Sequence, residues 1–331
     1  MKSLHGGLSF NKILQKFLYS DLADQSGLRP KTLVAYRDTL RIFLEFMEAR
    51  YSKDASDLTP ADLSASVVIE FLKYLETVRG NVPKTINIRL AALRSFMAFA
   101  AAHDPKARLI LKDLQTIPVK RLKKPEMSCL SHEEVLAIIQ APNPSTWSGA
   151  RDRAMLATLY NCGARVSEIV LLRRSDVYLN GSGSIRLHGG GLKERRIPLW
   201  SMTRHHILEW LGTARIGSDA PLFPNRKGQI LTRSGVEDRL RKAVTAAATR
   251  MTSLTCRAVS PEMIRRTTAV HLLKTGVSPG AMAIWLGLST SASVRKYTEA
   301  AAAVQGDSLL DLPEIQGKFS SHFRYQDLPA F

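Results

Sequence analysis

In NCGARVSEIVLLRRSDV (residues 161–177) an arginine, Arg165, follows Cys162-Gly163 at the end of a run, Ala150 to Asn161, that reads as a long helix. Glu168 stands one helical turn further on, where it can pair with that arginine. A second arginine, Arg265, sits in SPEMIRRTTAVHLLKTG (260–276), and a tyrosine, Tyr297, in SVRKYTEA (293–300). Two guanidiniums can grip the non-bridging oxygens of one phosphate while a phenol attacks the phosphorus. The set therefore points to exchange of DNA strands through a phosphotyrosine.

Outward from this stretch, the segment reads as a domain over 129–300. It opens with a helix whose capping box is Ser131 and Glu134. SIRLHGGGLKERRIPL (184–199) alternates around three glycines and reads as a β-hairpin with a flexible tip. Helices are predicted over 201–215, 232–249, 261–275 and 279–286, and a turn-rich piece, GLSTSASVRKYTEA (287–300), delivers Tyr297. Before this domain, residues 8–103 read as helix after helix. In one, opened by Pro30, Leu33, Tyr36, Leu40, Phe43, Leu44 and Met47 recur at steps of three and four. A third follows Thr59-Pro60 and ends near Gly80, and a fourth starts near Pro83 and buries Ile86, Leu90, Leu93 and Met97. This predicts a four-helix domain with basic outer faces that offer Lys31, Arg37, Arg41, Lys84, Arg89 and Arg94 to DNA. Between 104 and 128 the periodicity lapses. Lys120, Arg121, Lys123 and Lys124 there belong to a basic linker, either solvated or laid along a DNA backbone. The expected fold class is mainly α with a small β-sheet or hairpin: a helical DNA-binding domain followed by an α+β catalytic domain.

Composition narrows the partners. The 331 residues suffice for about two domains. With 47 Lys and Arg against 29 Asp and Glu, the net charge is +18, so a polyanion is the natural partner. No apolar run reaches the length of a membrane span, and MKSLHGGLSFNKILQKF lacks a basic start followed by a continuous apolar stretch. A cytoplasmic address with no membrane partner is expected. Cys129, Cys162 and Cys256 share no metal or redox spacing, so neither a metal nor a disulfide framework is implied.

These blocks resemble the tyrosine recombinases, or phage-type integrases, over most of the chain. LRPKTLVAYRDTLRIFLEF (28–46) is similar to the family's core-binding domain, while GARVSEI, KERRIPL and TTAVHLL are similar to its catalytic domain. AIWLGL (283–288) ends nine residues before the tyrosine. The likeness is nearest to two-domain recombinases encoded by mobile elements. It implies that Arg165 and Arg265 clamp the scissile phosphate and that Tyr297 attacks it, leaving a 3′-phosphotyrosine and a free 5′-hydroxyl. No cofactor or metal is then required. It also implies a tetrameric synapse of protomers on two DNA duplexes, a related recombinase being one source of partners. Residues 301–331 form a tail whose Phe319, Phe323, Tyr325 and Phe331 would anchor it on a neighbouring protomer or on its own domain.

The chain departs from the family at three of six usual active-site positions. The hairpin lysine that protonates the departing 5′ oxygen is Gly190, and Lys193 is the candidate to replace it. The histidine three residues before the second arginine is Glu262, which either serves as a base for the tyrosine or forms a salt bridge with Arg265 or Arg266. The usual His or Trp before the tyrosine is Leu288, which cannot donate a hydrogen bond. Among the histidines, His271 reads as structural, His205 and His206 as solvated, and His188 beside the glycine tip as a second candidate substitute. A catalytically impaired DNA-binding subunit that assists an active partner is the alternative reading.

Overall fold

The computed structural model describes residues 10–18, 30–122, 128–189 and 194–303. Gly190, Lys193, Lys123, Lys124, the side chain of Lys31 and the tail from 304 onward lie outside the described residues. The chain divides into two compact units, Met1–Pro125 and Glu126–Phe331.

The first unit is helical: α1 (Phe10–Lys16), α2 (Pro30–Tyr51), a 3₁₀ turn (Pro60–Leu63), α3 (Ala65–Thr77), α4 (Pro83–His103) and α5 (Pro105–Thr116). Ser64 splits the predicted third helix, because its hydroxyl caps the Val67 N–H and restarts the chain as α3. The core of this unit joins Phe10 edge-on to Phe96 at 5.3 Å and Phe43 edge-on to Phe71 at 5.2 Å. The stretch expected to be a linker begins instead with α5. Ala107 and Leu114 are buried there and Ile110 and Leu111 half-buried, a stripe at helical spacing that packs on α4. Beyond α5 the chain is tied down as well: the Asn87 amide accepts from the Lys120 N–H and donates to its carbonyl, both at 2.8 Å.

The second unit is built around α7 (Trp147–Cys162), which is buried on nearly every side. Around it lie α6 (His132–Gln140), α8 (Val166–Leu171), α9 (Ser201–Thr213), α10 (Arg233–Ala248), α11 (Pro261–Lys274), α12 (Pro279–Leu286) and α13 (Ser291–Ala303). The expected hairpin is present as β2 (Ser184–His188) and β3 (Glu194–Pro198), in the register Ile185↔Ile197 and His188↔Glu194. A two-residue strand, β1 (Val177–Tyr178), completes an antiparallel sheet of order β1-β2-β3. Ile185, Leu187 and Ile197 point into the core. Tyr297 comes from α13, not from a turn-rich piece. The Thr290 hydroxyl accepts from the Ser293 N–H and starts a helix where the Ser and Thr content alone suggested irregular chain. No helix among the described residues is long and apolar enough to cross a membrane.

His271 is a core residue. The Tyr160 hydroxyl lies 2.7 Å from its Nδ1, and Nε2 lies 3.1 Å from the Leu130 carbonyl, where the neutral ring donates. Burial, and after it His132, push its pKa down to about 4. An imidazole depressed in the folded state contributes its full stability above the unfolded pKa of about 6.5 and loses it as pH falls toward 4. At pH 5 the loss is roughly 2 kcal/mol. Urea melts at pH 7 and pH 5 check this, and the fall is expected to shrink in His271→Gln.

Candidate active site

The end of α7 organises the site. A helix leaves its last carbonyls without intrahelical partners, and here side chains from two later helices take them. Thr268 of α11 donates to the Tyr160 carbonyl at 2.6 Å, and Trp285 of α12 donates Nε1–H to the Asn161 carbonyl at 2.9 Å. Arg265 of α11 donates Nη1–H to the Gly163 carbonyl and Nη2–H to the Leu286 carbonyl, the latter at 2.7 Å. Gly163 holds φ +52°, and a Cβ there would lie 2.3 Å from Leu286 Cδ2, so the corner needs glycine. Two residues later Arg165 becomes the N-cap of α8, so one turn of chain carries the first arginine and is bonded to the second.

Glu168 fixes Arg165. Its Oε2 accepts the Arg165 backbone N–H at 2.7 Å, and its Oε1 lies 3.4 Å from the Arg165 guanidinium. The same buried carboxylate receives both ends of the Arg195 guanidinium from β3, at 2.8 and 2.9 Å, while Arg195 Nε–H donates to the Trp285 carbonyl at 2.8 Å. Burial alone would raise the Glu168 carboxyl, but the Arg195 hydrogen bonds and charge outweigh it and hold it below its usual value. The Arg165 side chain keeps 47% of its surface exposed, whereas Arg265 is 2% exposed. One guanidinium therefore faces solvent and the other is held rigidly in the wall. Burial, then the nearby Arg165 charge, push the Arg265 pKa down from its ordinary value.

Tyr297 is 4% exposed and belongs to the core of this unit. Its hydroxyl donates to Glu262 Oε1 at 3.5 Å. Burial first, and the Glu262 charge second, raise the phenol pKa, with Arg265 opposing them. Neither Arg265 nor Arg266 forms an ion pair with Glu262: Arg265 is committed to main-chain carbonyls, and Arg266 Nη1–H donates to the Ser128 carbonyl at 3.2 Å. The structure thus gathers Arg165, Arg265, Tyr297 and Glu262. Leu288 packs half-buried against the core. His188 is drawn elsewhere. Its Nε2 lies 2.9 Å from the buried Asp176 and its Nδ1 2.8 Å from Glu194; hydrogen bonding to Asp176 raises its pKa, so both nitrogens are occupied by carboxylates. That is a poor arrangement for a substitute acid, because the proton is held by its neighbours.

Of the basic residues expected to meet DNA in the first unit, Arg37, Arg41, Lys84 and Arg121 are exposed. Arg41 pairs with Glu45 one turn on. Arg89 is half-buried; burial, then the charge of Arg79, push its pKa down, and Arg41 adds to this. The Asp38 carboxylate opposes these two charges, so Arg89 stands near two arginines and one carboxylate. Arg94 is a cap and not an outward-facing cation, since it donates to the carbonyls of Leu114, Gln115 and Ile117 at the end of α5. Lys120 is paired with Glu76. On α9, His205 and His206 each approach a different oxygen of Glu209, at 3.2 and 3.1 Å; His206 is buried and not solvated as expected. Sequence reasoning passed over Arg195, Asn161 and Trp285, which hold the corner from β3, α7 and α12. Their pairings span 27 to 124 residues and leave no local spacing to read.

With this geometry in view, the chain belongs to the phage integrase family, the tyrosine recombinases, and its class of activity is DNA recombination. The phage integrase family model matches residues 128–303, and that of the phage integrase N-terminal SAM-like domain matches 14–104. Among its relatives is a Sinorhizobium fredii protein that carries the name integrase/recombinase y4rC, 34% identical over 96% of each chain. The tyrosine recombinase XerC of Roseiflexus is 31% identical over 84% of this chain and 86% of its own. In fold, the likeness extends to solved structures. A lambda integrase (75–356) dimer bound to a COC′ core site matches with TM-score 0.65 at 16% identity, covering 91% of this chain and 99% of that one. XerH bound to its difH substrate also gives 0.65, at 20% identity over 83% of this chain and 80% of that one.

Proposed function

We propose that the chain is a site-specific recombinase of a mobile element, which cuts and rejoins duplex DNA through a 3′-phosphotyrosine on Tyr297. The observation that carries this reading is the arrangement around Arg265: its guanidinium lies within the electrostatic reach of both Arg165 and Tyr297 and is bonded to the turn that presents Arg165. Phosphoryl transfer spreads charge over the equatorial oxygens, and two fixed guanidiniums neutralise it at little reorganisation cost. The phenolic oxygen forms a bond to phosphorus as the bond to the 5′ oxygen breaks, and a second strand's 5′-hydroxyl reverses the step. Lys193 is proposed to protonate the departing oxygen. Loss of a general acid costs roughly 10²–10⁴-fold, so even a site without one would turn over slowly.

Double-stranded DNA is the proposed substrate, with a domain over 8–103 meeting it through Arg37, Arg41, Lys84 and Arg89. Further protomers, including a related recombinase, would complete a tetrameric synapse. The departures at Gly190, Glu262 and Leu288 support the second reading, a subunit that positions DNA for an active partner. One experiment separates the two. The purified protein is incubated with nicked duplexes taken from the DNA flanking its coding sequence, and the products are run on a denaturing gel. The recombinase reading expects a covalent protein–DNA band whose nuclease-trimmed peptide carries the added mass on Tyr297. A DNA-binding protein that forms such a band only when a partner is added, with the mass on the partner, is the assisting subunit.

A further inference from the structure

We infer that the Glu262 carboxylate is the general base that takes the Tyr297 proton during cleavage and returns it during rejoining. The inference rests on Tyr297 being the nucleophile, as proposed above. Geometry comes first. The phenol already donates to Glu262 Oε1 at 3.5 Å, a long contact of the kind that tightens when substrate binds. Glu262 lies three residues before Arg265 on α11, one turn earlier on the same side, so one helix offers an acceptor to the phenol and a donor to the phosphate.

The carboxylate is free for this task. It forms no ion pair among the described residues, because the two arginines nearest in sequence are bonded to main-chain carbonyls. It is exposed, so a captured proton can exchange with water. It also stands in the first turn of α11, where the field of the helix favours a negative charge. The charged groups facing the pair are Arg265 and Arg266 on α11, Lys296 of α13 at 5.9 Å from the Tyr297 ring centroid, and Arg165 beyond Arg265.

The need for a base is equally clear. A phenol is already protonated at neutral pH, burial raises the Tyr297 pKa further, and a phenol is a weak nucleophile until its proton leaves. The proton passes from Tyr297 Oη to Glu262 Oε1, the Tyr297 oxygen bonds to phosphorus, and the bond from phosphorus to the 5′ oxygen breaks. That oxygen gains a proton from solvent water to become the 5′-hydroxyl. On rejoining, the protonated Glu262 returns its proton to the leaving phenolate.

The test measures single-turnover covalent attachment to the nicked duplexes between pH 6 and 9 for the parent, Glu262→Gln, Glu262→His and Tyr297→Phe, with DNA binding and thermal melting recorded for each. The glutamine variant is expected to bind DNA normally and to cleave roughly 10²–10⁴-fold more slowly. Its rate should climb about tenfold per pH unit as solvent ionises the phenol, whereas the parent rate should stay nearly flat. The histidine variant should recover most of the loss and gain an acid limb near the ordinary imidazole value of about 6.5. A glutamine variant with the parent's rate and pH profile overturns the inference while leaving the tyrosine reading intact. So does a histidine variant that cleaves no faster than the glutamine one. Attachment that survives in Tyr297→Phe overturns the reading beneath it.

Discussion

Changing Tyr297 to phenylalanine is expected to erase covalent attachment to DNA while leaving the fold and the DNA affinity near those of the parent. The two halves of the expectation come from different parts of the side chain. The ring is packed into the core of the second unit, and phenylalanine keeps it. The hydroxyl meets the exposed Glu262 at 3.5 Å, where water replaces the lost donor, and the buried Arg265 guanidinium beside it keeps its bonds to the Gly163 and Leu286 carbonyls. The stability change should stay within about 1 kcal/mol. The chemical loss is of another scale. In the proposed mechanism this deletes the covalent nucleophile, a loss on the order of 10⁶ in rate, because the oxygen proposed to bond to phosphorus is gone. A denaturing gel of the nicked-duplex reaction reads the first effect, and a thermal melt with a binding isotherm reads the second. A phenylalanine variant that still forms the adduct would move the nucleophile to another side chain.

The contrast between ring and hydroxyl also shows which features were legible in the chain. Helices with a dense apolar stripe, such as α2 and α4, announce themselves because their large side chains recur at steps of three and four. Alternation through Ile185 and Leu187 announces β2 in the same way. α5 was hidden because one of its core residues is an alanine and its stripe is threaded with charges. α13 was hidden by Ser and Thr, which suit caps and turns equally. Among the site residues, the order and spacing of blocks marked Arg165, Arg265 and Tyr297, and the structure brings them together with Glu262. Arg94 and His188 have partners that their sequence context does not show, for one shared reason. A charged side chain at a helix or strand surface looks available until its partners, distant in sequence, are seen: the end of α5 for Arg94, Asp176 for His188.

Within the support beneath Arg165, the reach of Arg195 from β3 to Glu168 was the least legible part, and the second large effect is expected there. Arg195→Leu should destabilise the second unit by about 3–5 kcal/mol, because it leaves the Glu168 carboxylate, 3% exposed, without its bidentate partner. The Trp285 carbonyl loses this donor at the same time. Adding Glu168→Leu removes the stranded charge. The double variant should therefore regain most of the stability, short by the roughly 1–3 kcal/mol that a buried carbonyl costs when a donor is withdrawn. Attachment to DNA should not return with it. Glu168 also accepts the Arg165 backbone N–H and faces its guanidinium, so without the carboxylate the exposed arginine has nothing to set its direction. Misplacing a positioning group by about 1 Å can cost on the order of 10²-fold in rate. Urea melts and nicked-duplex cleavage on the same preparations separate the two quantities. Recovery of both together in the double variant would mean that Arg195 and Glu168 matter only as a buried ion pair. Recovery of stability alone would make Glu168 the residue that positions the clamp.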